Sequence, residues 1–138
     1  MKGILQLCVA VVLFLLPACA KGAPILTVYF IPFEASTFVP VTRDDISCRA
    51  LEKWAITDAA QAAKLMNIVT HGEQGTYTFD YPLVRVLVSD KDKTYYIDHK
   101  GVTVVGKLTY KIDPQKIEAF RQSLNPNDVL PRKRSKCS

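Results

Sequence analysis

At 138 residues the chain is long enough for one domain with a modest core, since 49% of its residues are apolar. Its formal net charge of +5 sits at the ends: Lys2 and the run Arg132-Lys133-Arg134-Ser135-Lys136 carry the excess, while residues 19–131 balance 13 basic against 13 acidic side chains. A neutral body excludes a basic nucleic-acid surface, and the tail reads as a solvated end or as a contact for anionic headgroups or a partner's acidic patch.

The chain opens with Lys2 and an uncharged apolar run, Ile4–Leu16, followed by Pro17-Ala18-Cys19-Ala20. The run is too short to span a bilayer and ends in small residues, so it is expected to direct export. Two cleavage readings stand. Ala18-Cys19-Ala20 fits a cut after Ala20, whereas Leu16-Pro17-Ala18-Cys19 resembles the lipobox of bacterial lipoproteins, from which Pro17 departs. The lipobox is favoured, and it implies that Cys19 becomes the lipidated first residue of a periplasmic protein anchored in the outer membrane. The expected organisation is a signal peptide over 1–18, a linker over 19–24, one domain over 25–125 and a basic tail over 126–138.

Along the mature chain, Ile25–Phe33 is strongly β-prone, with Pro32 marking an edge or a strand end. Glu34–Pro40 reads as a loop with apolar Phe38 and Val39. Thr42 followed by Asp44 and Asp45 predicts a helix running to about Trp54 that buries Ile46, Ala50 and Leu51, with Trp54 a further candidate for its buried face. Asp58–Val69 predicts a second helix, with Ala62, Leu65, Met66 and Val69 on one face and Gly72 as its C-terminal cap. Thr76–Tyr81 predicts a short strand.

The stretch Tyr81–Ile112 predicts a meander. Leu83–Ser89 alternates, with Val84, Val86 and Val88 on one face and Arg85 and Ser89 on the other. Thr94–Asp98 follows the polar turn 90–93, Gly101 sits where a positive φ is needed, and Val102–Ile112 alternates again, with Gly106 read as a bulge. Asp113-Pro114 starts a last helix that buries Ile117, Phe120 and Leu124. The fold class is therefore α+β: an antiparallel meander of about four strands with two to three helices mainly on one face. The other face is expected to be wet, showing Arg85, Thr103, Lys107, Thr109, Lys111 and Tyr95 or Tyr96.

Cys48 and Cys137 are expected to pair in an oxidising compartment; the alternative is a buried Cys48 and a free Cys137. The two histidines, His71 and His99, lie in predicted turns and offer no metal-ligand spacing, and adjacent Asp98 and His99 point apart. Asp44/Asp45 and Asp90/Asp92 occupy a helix start and a hairpin turn, where acids cap and solvate. No catalytic residue, metal or cofactor is expected, and the chain reads as non-enzymatic.

Surface chemistry is the remaining signal. Tyr and Arg anchor protein contacts, so Glu73, Tyr77, Arg85, Asp90, Asp92, Tyr95 and Tyr96 are the candidate partner-binding residues, on an edge formed by the 34–40, 71–75 and 90–93 loops. The competing reading is that the tyrosine rings are buried in the sheet.

The pattern Val84-Arg85-Val86, Tyr96-Ile97-Asp98-x-x-Gly101-Val102 and Tyr110-x-Ile112-Asp113, followed by a helix with Phe120, resembles small exported periplasmic immunity proteins and inhibitor lipoproteins of Gram-negative bacteria. The resemblance covers residues 82–124 and the leader. It implies a non-catalytic binder that neutralises a toxin or hydrolase, and no functional residue is carried over from it. An accessory lipoprotein of an envelope secretion or assembly machine is the alternative.

Overall fold

A computed structural model describes residues 23–37, 39–132 and 137. The leader, the lipidation candidate Cys19, Phe38 and most of the basic tail lie outside the described residues. The fold is α+β, built on one sheet of eight strands rather than about four. The strands are β1 (Leu26–Phe30), β2 (Glu52–Ile56), β3 (Glu73–Gln74), β4 (Val84–Ser89), β5 (Thr94–Asp98), β6 (Val102–Val105), β7 (Leu108–Lys111) and β8 (Val129–Pro131). The helices are α1 (Ile46–Arg49), α2 (Ala59–Thr70) and α3 (Pro114–Ser123). Across the sheet the order is β3-β7-β6-β5-β4-β1-β2-β8, and every pair of strands is antiparallel. Among the described residues no helix is long and apolar enough to cross a membrane.

Four expectations are corrected. The helix predicted from Thr42 to Trp54 shrinks to the single turn α1, because Ala50 turns extended (φ −58°, ψ 140°). Trp54 and Ile56 then alternate inward along β2, a period-two pattern that the helical reading overrode. The long strand 102–112 splits into β6 and β7 across Gly106 and Lys107. Val105 faces Leu108 there, and Gly106 takes a φ of +57° that a side chain would resist. Thr76–Tyr81 is irregular; the strand on that side is the short β3, one step earlier. Gly72 is not the cap of α2 either, since the His71 N–H closes that end on the Asn67 carbonyl.

The start predicted at Thr42 moves to Ile46, where Asp45 makes no side-chain cap bond, but the starts of α2 and α3 are as predicted. Asp58 accepts from Ala60 N (2.7 Å) and Gln61 N (3.1 Å), and Asp113 accepts from Gln115 N (2.9 Å) with Pro114 in the first turn. Each cap contributes about 1 kcal/mol. On the first face of the sheet α2 and α3 bury Ala62, Leu65, Val69, Ile117, Phe120 and Leu124 against Val28, Val86, Val88 and Ile97. Phe30, Trp54 and Phe120 stack through the middle, with ring centroids 4.8 Å and 6.1 Å apart.

The second face is not wet. Ile31, Val41, Ile46, Ala50 and Phe79 fold over it and bury Val84, Leu87, Val102 and Val104. A break in register between Val84 and Val86 turns Val84 to this side, away from Val86 and Val88. Arg85 is buried beneath this cover, 4% exposed, whereas Thr103, also buried, pairs with Ile97 and Tyr110 and so lies on the first face. The covering segments read as loops in the sequence, which is why their apolar residues did not register as a layer.

The chain beyond α3 rejoins the sheet. A 3-10 turn (Pro126–Asp128) leads into β8, which pairs with β2. A disulfide joins Cys48 in α1 to Cys137, with Cα atoms 5.8 Å apart. Arg132 reaches the Ser47 carbonyl, so β8 is clasped against α1 through Arg132 and Cys137.

Candidate interaction site

The predicted contact residues scatter. Tyr95 is 5% exposed and belongs to the first core. Arg85 is interior: its guanidinium donates to the carbonyls of Ala35 (3.1 Å) and Val84 (3.2 Å), pinning the 31–37 segment over the sheet. Burial lowers its pKa, and nearby Asp80 partly restores it. Both residues are corrected from surface candidates to scaffold. Asp90 and Asp92 sit at the β4–β5 tip, where Asp90 N donates to the Lys93 carbonyl (3.0 Å). That tip is at the opposite end of the sheet from the 34–40 and 71–75 loops, because Phe30 pairs with Val86 and Glu73 with Lys111. The expected edge of three loops therefore does not form.

Glu73 and Tyr77 do meet. The Tyr77 hydroxyl pKa is raised by desolvation first and then by the Glu73 carboxylate. Glu73 also borders an open cleft of about 440 Å³, with Asn67, His71, Lys111, Asp113 and Lys116. Its two acids, two lysines and one histidine give it no dominant charge.

Asp98 and His99 diverge as the spacing implied. Asp98 is fully buried and accepts from the backbone N–H groups of Asp80, Lys100 and Val102, all at 2.9 Å. His99 instead places Nε2 2.9 Å from Oδ2 of Asp80, a partner 19 residues earlier that sequence reading missed. Together they fasten the 79–83 segment to the β5–β6 turn. His71 bonds locally to the Asn67 carbonyl (3.0 Å). Near the disulfide, Asp45, Cys48 and Cys137 bring a carboxylate oxygen and two sulfurs within 4.8 Å, but the sulfurs bond each other and offer no thiolate.

A different constellation emerges on the second face. The register places Leu130, Lys53, Tyr29, Leu87, Tyr96 and Val104 in one row across six strands. Two cations lie against Tyr29: Lys53 Nζ is 5.7 Å and the Arg132 guanidinium 5.3 Å from the ring centroid. The Arg43 guanidinium lies 5.1 Å from the Tyr81 ring and 5.5 Å from the Tyr96 ring. Backbone pairing supports this clasp, since Val41 N donates to the Pro82 carbonyl (2.8 Å) and Val84 N to the Val41 carbonyl (2.9 Å). Exposed Val39, Pro40, Tyr81 and Pro82 therefore adjoin Arg43.

Beyond the tyrosine row the same face carries Ala55, Thr27, Ser89 and Thr94 side by side, all small and half-buried. Among the described residues the cover of the second face stops short of that row, leaving a half-buried strip bordered by tyrosines and cations. None of Arg43, Lys53 and Arg132 forms an ion pair among the described residues. Of the predicted contact residues, Tyr96 alone belongs to this site. Arg43 carried no signal in the sequence, because its ring partners lie 38 and 53 positions away.

No protein-family profile, curated protein or solved structure matches this chain.

Proposed function

We propose that the chain is a non-catalytic protein-binding module of the bacterial envelope, an inhibitor or immunity protein that is exported and tethered through Cys19, and that its partner docks on the second face. The observation that carries this reading is the row of tyrosines bracketed by cations that have no acidic partner among the described residues. Tyr and Arg are the residue types that concentrate binding energy, and here the rings and cations already lie against one another. Little side-chain freedom is left to lose on docking. His71 is engaged with the Asn67 carbonyl and His99 with Asp80 where it fastens the 79–83 segment, and this structural use of both imidazoles supports the non-catalytic half of the proposal.

The test is capture from native envelope extract on the full-length tagged chain, run beside Arg43→Gln and Tyr81→Ala. One dominant protein retained by the parent and reduced tenfold or more by both variants is the expected result. Equal retention by parent and variants, or no specific retention, overturns the docking face.

A further inference from the structure

Resting on that docking face, we infer that it takes an acidic protein segment: an extended stretch presenting two carboxylates, one to Arg43 and one to the Lys53–Arg132 pair. Arg43 is held with its guanidinium 5.1 Å from the Tyr81 ring centroid and 5.5 Å from that of Tyr96, which anchors the group where an incoming carboxylate can meet its N–H donors. A fixed guanidinium fork fits a carboxylate in a bidentate manner. Lys53 and Arg132 converge on Tyr29 and supply a second positive point. Tyr29 and Tyr96 are two strand spacings apart, through the pairs Tyr29–Leu87 and Leu87–Tyr96. The two positive points are thus on the order of 10–15 Å apart, which an extended segment covers in roughly three to five residues. The small row Ala55, Thr27, Ser89 and Thr94 leaves room for its backbone beside the rings.

A polyanion fits less well. Exposed Asp44 directly follows Arg43, and the body as a whole is charge-balanced, so a nucleic acid or an anionic bilayer would meet repulsion beside Arg43. Separated carboxylates avoid it.

The test is selection of a random dodecapeptide display library on the immobilised full-length chain, followed by affinities of the enriched peptides. Enriched sequences should carry Asp or Glu pairs three to five positions apart. Arg43→Gln and Lys53→Gln should each weaken binding about tenfold, Arg43→Lys less, and all affinities should fall with added salt. Unchanged thermal unfolding of the variants shows that the face, not the fold, was altered. Peptides that lose binding to Tyr81→Ala yet carry no acidic residues overturn the carboxylate assignment and leave the docking face standing. Peptides indifferent to all of these variants, or no enrichment, overturn both. Tighter binding to single-stranded oligonucleotide or to vesicles containing phosphatidylglycerol would replace the acidic segment with a polyanion.

Discussion

The two faces of the sheet are built from the same strands yet covered in different ways. The first face meets two capped helices, and the core between them is largely apolar: Phe30, Trp54, Phe120 and the aliphatic residues around them, with Tyr95 and Tyr110 as the tyrosines among them. The second face meets irregular chain and the four-residue α1, so its backbone groups must be satisfied by side chains. Arg85 serves the Ala35 and Val84 carbonyls, Asp98 serves three N–H groups, and Asp80 holds His99. Regular cover is complete, whereas irregular cover reaches only as far as those polar fasteners reach. The strip of sheet left over is where tyrosines and cations collect.

If the first face is scaffold, its removal should dominate stability. Trp54→Ala opens a cavity at the centre of the aromatic stack and is expected to cost about 3–5 kcal/mol, read from the urea midpoint. A loss below about 1 kcal/mol would mean that the stack is not the centre of the core. Next in size is the clasp that holds β8 and Arg132 in place. Cys137→Ser removes a link closing a sequence separation of 89 and should cost about 2–4 kcal/mol. It should also free the amides of β2 that β8 covers, measured by hydrogen exchange at Lys53.

The two faces differ equally in how much the sequence disclosed. The first face was legible: Asp58 and Asp113 announced their helices, and Leu65, Val69, Ile117 and Phe120 kept helical spacing. The meander strands β4 and β5 stood nearly where alternation put them. The second face was not legible, for three physical reasons. Its cover comes from residues such as Ile31, Val41 and Phe79 that have no period, because irregular chain has none. The register break before Val86 inverts the side on which Val84 lies, and nothing in the local sequence marks it. Partners such as Arg43 with Tyr81 and Tyr96, or Asp80 with His99, are brought together only by tertiary pairing. β2 was lost because capping signals at Thr42–Asp45 outweighed a five-residue alternation that only its burial between β1 and β8 makes decisive.

A pH scan sharpens the contrast from within the first face. The Tyr110 hydroxyl donates to the Val69 carbonyl at 2.7 Å, and burial, with nearby Tyr95 adding to it, pushes its pKa up to about 12 from the ordinary 10. The folded chain therefore holds this proton more tightly than the unfolded chain. Its contribution is fully present below pH 10 and is lost as pH rises from 10 through about 12. Tyr110→Phe should remove that alkaline decline and cost about 1 kcal/mol at neutral pH for the lost bond. An identical decline in the variant would place the titrating group elsewhere.

The smallest expected effect bears most directly on the second face. Exposed cation–ring contacts contribute about 0.5–1 kcal/mol each, and their ordering cost offsets part of that. Arg43→Gln and Lys53→Gln should therefore each shift unfolding by less than about 1 kcal/mol, although Arg43 has two rings beside it. Such a result means that these cations are held in place without being needed to hold the fold, as expected of residues retained for a partner. A loss above about 2 kcal/mol for Arg43→Gln would reverse that inference. Arg43 would then be fastening the 39–43 and 81–83 segments together, and the second face would be scaffold like the first.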